Sequence, residues 1–253
     1  MKKILFAVAA SAALLSACNE AVNVSPVEYG TIVPSVPAVI DRIETKAVVN
    51  GTSGTSYTID DWNIQVIKGT EVKYNNTIAA YGAEQTFATG DYTVAVQNVS
   101  ESVAQPADGL GVARFYGDET VTVLANQDNP VTVPCAMVNS KFSVNLTGFD
   151  VFESYSIAVT AGTREYTFDS ANNGDVVFFN VKSGDTLVYT LTAEFDGNSK
   201  TYTNASSPVS VAAAKWYKLN FTVSETDGTI VPDVTIDDAC EEINENIPVN
   251  PYK

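Results

Sequence analysis

Short runs of alternating apolar and polar residues, separated by Gly, Asn and Asp, fill most of the chain after residue 57. The runs are rich in Val, Ile, Thr, Tyr and Phe, as in WNIQVIKG (62–69) and KWYKLNFTV (215–223). Such alternation is typical of strands that bury one face, and many short strands with turns between them are typical of β-sandwiches. A helical period never persists for more than about two turns. The pattern therefore predicts an all-β fold.

The strand pattern also repeats along the chain. Three matching segments occur in the same order: WNIQVIKG (62–69) with YSIAVTAG (155–162), FATGD (87–91) with VKSGD (181–185), and VTVPC (131–135) with LNFTV (219–223). This order predicts two tandem β-sandwiches of related design, residues 29–138 and residues 139–238. The strand after the GD turn is one residue out of step between the halves, which either a β-bulge or the absence of a true repeat would explain.

The beginning of the chain has a different pattern. Lys2 and Lys3 precede an apolar run, residues 4–15, that is too short to span a membrane as a helix, which takes roughly 20 residues. The run ends in LSAC, which looks like a bacterial lipobox whose Cys18 would receive lipid. We predict a lipoprotein signal peptide at residues 1–17 and a lipid-anchored tether at residues 18–28. A soluble secreted protein with a coincidental cysteine is the alternative.

The composition narrows the function. The 253 residues include 14 basic and 30 acidic residues and no histidine, which gives a net charge of −16. So acidic a surface repels nucleic acid, and the lack of histidine removes Ser-His-Asp and Cys-His catalysis and histidine-ligated metal sites. We expect no enzyme, no cofactor, no metal and no nucleic-acid partner, although a glycosidase built on two carboxylates is compatible with the composition.

Several stretches resemble a known family, among them TIDDWNIQVIKG (58–69), VARFYGDETVTV (112–123) and VTVPCAMVNSKFSV (131–144). The chain is similar, over about residues 29–250, to a Bacteroidales family of lipoproteins with a domain of unknown function. That family is related in build to the fimbrillin-like surface proteins, which have two transthyretin-like sandwiches behind a lipobox. The resemblance implies an outer-membrane lipoprotein displayed on the cell surface. It also implies a role in adhesion or in a fimbria-like assembly, with other surface subunits as partners.

The fimbrillin resemblance also implies a processing step. In those proteins a protease cuts after Arg or Lys near the end of the first strand, and the vacated groove accepts a strand from the next subunit. Arg42 and Lys46, in DRIETKAVV (41–49), lie at about that position. Two ordinary basic residues of an exposed loop are the alternative interpretation.

The two tryptophans are expected to differ. Trp62 shares a strand face with Ile64 and Val66 and is expected in the core. Trp216 falls on the face of the polar residues at 218, 220 and 222, which is expected to be solvent-exposed. An exposed tryptophan either stacks on a sugar or packs against a neighbouring domain. The first reading gives an alternative function, a surface lipoprotein that binds host or dietary glycans for a polysaccharide uptake system.

The C-terminal residues 239–253 are expected to form an acidic tail, whose closing IPVNPYK is compatible with one more edge strand. Cys240 lies in this tail, and Cys135 is expected to be a small buried side chain. Whether the two cysteines form a disulfide is left open by the sequence. Calcium binding by the nearby carboxylates is an alternative to a solvated terminus; they are Asp237, Asp238, Glu241 and Glu242.

Overall fold

The computed structural model describes residues 26–40, 59–82, 85–223, 230–238 and 241–248. Strands dominate these residues and confirm the all-β class. Helical structure is limited to three 3-10 turns and one short helix, α1 (Glu101–Ala104). None of the helices in these ranges has the length and apolar character that crossing a membrane requires.

Eighteen strands follow one another in the described part of the chain. The first nine are β1 (Tyr29–Ile40), β2 (Asn63–Lys68), β3 (Glu71–Thr77), β4 (Thr86–Ala88), β5 (Gly90–Gln97), β6 (Phe115–Val123), β7 (Asp128–Thr132), β8 (Ala136–Met137) and β9 (Ser140–Thr147). The remaining nine are β10 (Ser154–Ala161), β11 (Arg164–Asp169), β12 (Val177–Phe179), β13 (Thr186–Phe195), β14 (Asn198–Thr203), β15 (Val209–Ser210), β16 (Lys215–Val223), β17 (Ile230–Asp238) and β18 (Glu241–Pro248).

The strands form four sheets. Sheet 1 has the order β18-β1-β4, with β7 also paired to β1, and sheet 2 has the order β3-β2-β5-β6-β8. Sheet 3 has the order β12-β9-β16-β17, and sheet 4 has the order β11-β10-β13-β14, with β15 also paired to β13.

The same pairing pattern occurs twice. In sheet 1, β1 is antiparallel to β4 and parallel to β7; in sheet 3, β9 is antiparallel to β12 and parallel to β16. The aligned glycines Gly69 and Gly162 occupy equivalent hairpin turns, β2–β3 and β10–β11, with φ of 60° and 61°. A positive φ favours glycine, because other residues meet steric strain there. In this pattern β9 is the counterpart of β1.

Two clusters of buried apolar side chains lie in these sheets. The first core draws its residues from positions 32–137 and the second core from positions 142–230. Trp62 is 2% exposed and stacks on Phe115, with ring centroids 5.7 Å apart. The cores lie on either side of the predicted boundary at 138/139, which falls between β8 and β9. The division into two domains at this position stays a prediction.

The C-terminal strands connect the two halves. β17 pairs with β16 along its whole length, whereas β18 pairs antiparallel with β1. Residues 241–248, which the sequence placed in an acidic tail, are therefore a strand of sheet 1. The edge of β1 offers a row of main-chain N–H and C=O groups with which another strand can pair. The acidic sequence of β18 does not show that this edge lies within its reach.

Candidate functional site

Strand β1 has partners on both of its edges. Residues 31–35 pair in parallel with β7 on one edge. On the other edge, residues 29–31 pair with β4 and residues 35–40 pair with β18, both antiparallel. β4 and β18 must share this edge, because Thr31 pairs with both β4 and β7 while Ser35 pairs with both β7 and β18. We call it the β4/β18 edge.

Alternate residues of β1 face the first core. Gly30, Ile32, Pro34 and Val36 are buried, while the residues between them are partly exposed. The exposed fractions of Ile32 and Val36 are 1% and 0%. Since full burial of such a side chain contributes about 1.5–3 kcal/mol, β1 is an integral part of the first core.

Gly30 allows β1 to lie against the connection between β6 and β7. A Cβ atom at Gly30 would lie 2.1 Å from the main-chain oxygen of Leu124. The buried Asn129 stabilises the same place: its amide nitrogen donates to the Thr31 carbonyl (2.8 Å), and its amide oxygen accepts from the Leu124 N–H (3.1 Å). The start of β1 is thus positioned by close main-chain packing.

The prolines of β1 occur where no ladder hydrogen bond is needed. The Thr31 N–H donates to the Gln127 carbonyl on the β7 side (3.0 Å), and the Ser35 carbonyl also faces this side. Because these directions alternate along a strand, Pro34 faces the β4/β18 edge, in the gap between the two pairings. Pro37 lies two residues beyond Ser35, which is the last residue paired with β7. Neither missing N–H interrupts the β7 ladder.

Tyr81 fills the gap on the β4/β18 edge. Its hydroxyl donates to the Ile32 carbonyl (3.0 Å), and its ring meets Tyr74 edge-on at a centroid distance of 5.0 Å. Burial, with a smaller electrostatic effect of Tyr74, raises the pKa of Tyr81 well above its ordinary value of 10.0. Sequence reasoning missed this residue, because IAAYG (78–82) has no strand alternation.

The connection after β1 is much longer than its counterpart in the other half. Residues 41–62 join β1 to β2, whereas residues 148–153 join β9 to β10. Arg42 and Lys46, the residues predicted to be processed, lie in the longer connection and outside the described residues. Cys18, the predicted lipidation site, also lies outside them.

Trp216 is only partly exposed. Its indole N–H donates to the Ser143 hydroxyl (2.9 Å), and the Lys218 ammonium lies 3.8 Å from the ring centroid. The ring packs against the first core although Trp216 belongs to β16 of sheet 3. Strand alternation predicted a ring that either stacks on a sugar or packs against a neighbouring domain, and this end of β16 packs against the first half of the chain.

Arg164 of β11 also joins the two halves of the chain, and no sequence motif marks this residue. Arg164 is 7% exposed, and its guanidinium donates to the carbonyls of Gly109, Leu110 and Phe178. It also lies over the Phe179 ring, 5.2 Å from the centroid. Burial lowers the pKa of Arg164. These contacts fix the loop after α1 against β12.

A cavity of about 410 Å³ opens beside the β13–β14 turn. Its wall is mostly apolar and includes Phe195, which is 57% exposed, together with Lys200 and Asp196. Asp196 is the one carboxylate among the residues described there, whereas a glycosidase needs two.

Cys135 is buried, and this burial raises the pKa of its thiol to about 12. Cys240 lies outside the described residues, as do the side chains of the four tail carboxylates that were considered for calcium. Within the described ranges, no three His, Cys, Asp or Glu side chains are grouped as a metal site would require.

Several solved structures resemble the chain at low sequence identity. A Bacteroides eggerthii protein described as a candidate cell adhesion protein shares 10% identity at a TM-score of 0.49, and the match covers 86% of this chain and 98% of that one. The tip fimbrial protein Mfa3 of Porphyromonas gingivalis shares 11% at 0.46, covering 84% and 100%. A fimbrial assembly protein of Parabacteroides distasonis shares 13% at 0.45, covering 83% and 100%.

No curated protein matches the chain. Residues 37–251, however, match the family described as Domain of unknown function (DUF4493). The match spans most of the 253 residues and confirms the resemblance to a family with a domain of unknown function. The chain therefore belongs to the DUF4493 family.

Proposed function

We propose that the protein is a non-enzymatic, lipid-anchored protein of the cell surface that acts in adhesion or as a structural or accessory component of a fimbria-like assembly. The main observation behind this proposal is that β1 completes the first core, although a long connection joins it to β2. We propose β1 as the element that subunits exchange.

Loss of β1 would leave an unfavourable groove between β4 and β7. The first core would lose the buried side chains of Ile32 and Val36, each contributing about 1.5–3 kcal/mol. The Tyr81 hydroxyl would lose its acceptor, and an unsatisfied buried polar group costs about 1–3 kcal/mol. A strand from another subunit would restore both, which is recognition by β-augmentation.

Cleavage after Arg42 or Lys46 would separate β1 from the rest of the chain. Both residues follow β1 in the sequence, so a cut there would leave the sheet intact until β1 departs.

Lipidation of Cys18 would attach the protein to the outer membrane, since two or three acyl chains anchor a protein stably. In a Bacteroidales host fed a labelled fatty acid, the native chain should incorporate label and the Cys18→Ala variant should not. Equal labelling of the two chains would contradict the anchor, and protease treatment of whole cells would report surface display.

The glycan-binding alternative receives no support from Trp216. A stacking platform needs an open ring face, but this ring packs on the first core and lies close to Lys218.

Polymerisation tests the proposal directly. The protein is treated with a trypsin-like protease and run on SDS gels after mild heating or boiling. Strand exchange predicts a ladder that survives mild heating and collapses on boiling. The Arg42→Ala/Lys46→Ala variant is the matched control and should give no ladder. A single band from the native chain, with its N-terminus intact, would contradict the proposal.

A further inference from the structure

The C-terminal strand β18 covers the half of β1 that β4 and β7 leave uncovered. Pairing with β4 ends at Thr31 and pairing with β7 ends at Ser35. From Val36 to Ile40, the strand paired with β1 in the described structure is β18. This half of β1 lies next to the connection through which β1 would be released.

β18 is held close to β1 by its own attachment. Residues 239 and 240 join it to β17, and β17 pairs with β16 along its full length. A short connection gives an intramolecular partner an effective concentration of the order of millimolar. β18 therefore competes well against any strand that arrives from solution.

We infer that β18 is an intramolecular clasp on β1, and that β1 leaves its place only after β18 has lifted off. The inference rests on the proposed exchange of β1 and adds its regulation. The C-terminus of each subunit then decides whether its N-terminal strand is available for exchange.

Engineered cysteines test the register. Ser35 pairs with Pro248, and the Cα atoms of such pairs lie within disulfide reach. The variant Ser35→Cys/Pro248→Cys is made in the full chain with Cys18→Ser and Cys240→Ser, and it should form an intramolecular disulfide that shifts the monomer on non-reducing gels. The control Ser35→Cys/Glu241→Cys should not, because Glu241 pairs with Ile40, about 17 Å further along the strand. Disulfide-linked dimers, or equal cross-linking of both variants, would overturn the inference.

Strand exchange tests the clasp itself. Three chains are each treated with trypsin: the full-length chain, a chain ending at residue 238 and a chain ending at residue 248. Each is then mixed with a fluorescent peptide of residues 26–40. We expect at least about tenfold faster uptake by the chain that lacks β18, and unchanged uptake by the control that retains it. Equal uptake by all three chains overturns the clasp and leaves the proposed exchange standing. No uptake by any of them overturns both, since the clasp rests on exchange.

Discussion

The hydroxyl of Tyr81 donates a hydrogen bond to the carbonyl of Ile32 over 3.0 Å, and thereby joins a residue between β3 and β4 to the centre of β1. The bond occupies the gap that β4 and β18 leave on their shared edge of β1. Both groups are buried, so each satisfies a polar atom that water would not readily reach. This hydrogen bond can form only while β1 occupies its position in sheet 1.

Tyr81→Phe should lower the free energy of unfolding by about 1 kcal/mol, because the Ile32 carbonyl loses its donor. Urea unfolding followed by fluorescence measures the change. Tyr202→Phe, which removes the same atom in the second half, should have a smaller effect. An equal loss in both variants would contradict the assigned role of Tyr81.

Alkaline pH should weaken the protein through the same hydroxyl. Burial raises the pKa of Tyr81 in the folded state, so the stabilisation is complete below the unfolded value of about 10 and is lost as pH rises further. The fall in unfolding free energy above pH 10 should therefore be shallower in Tyr81→Phe than in the native chain. Parallel curves for the two proteins would show that Tyr81 does not contribute.

Gly30→Ala should displace the start of β1, because the new Cβ would meet the main-chain oxygen of Leu124 at 2.1 Å. Overpacking of this kind typically costs about 1–3 kcal/mol. Gly174→Ala is the matched control, since a Cβ there has no neighbour within 4 Å. Thermal unfolding should show a lower midpoint for the first variant only. A normal midpoint for Gly30→Ala would mean that β1 does not approach Leu124 this closely.

Arg164→Lys should loosen the loop after α1, because an ammonium group cannot reproduce the fork that bonds three carbonyls. Hydrogen exchange should increase at residues 105–112 and near β12. The free energy of unfolding should fall by about 1–3 kcal/mol, because buried carbonyls are left without donors. Lys182→Arg, on the exposed surface of the same half, should leave both regions unchanged. Unaltered exchange in Arg164→Lys would contradict the assigned connection between the halves.

Cys135 should resist alkylation in the folded protein. Its pKa of about 12 leaves little thiolate at pH 8, and burial excludes the reagent. Mass spectrometry after iodoacetamide treatment should find Cys135 unmodified in the native chain and modified in urea. Rapid native modification would show that the first core opens readily at this residue.

The sequence predicted the parts of the fold that depend on local alternation. The matching segments WNIQVIKG and YSIAVTAG each form the first strand of a hairpin. Gly69 and Gly162 lie in the turns of these hairpins with the same left-handed conformation. Trp62 is in the core because the burial of every second residue in β2 extends back to position 62, just before the strand. These predictions succeed because a strand face and a tight turn are specified by residues close together in the chain.

The contacts that position β1 and join the two halves could not be predicted from short-range sequence patterns. Tyr81 and Arg164 lie 49 and 54 residues from Ile32 and Leu110, the carbonyl partners to which they donate, and neither belongs to a motif. For Trp216, strand alternation left both sugar stacking and packing against a neighbouring domain open, because alternation says nothing about a second layer of structure lying across the same face.

The sequence by itself therefore determined the all-β class, the repeated strand pattern and the acidic, histidine-free chemistry, because each follows from residue type and short-range order. Only the tertiary structure decided that β1 lies between β4 and β7 and that β18 returns to cover it. The physical reason is that main-chain groups at a strand edge pair with whatever strand the fold brings alongside, and the same eight residues of β18 would be a solvated tail without β1 beside them.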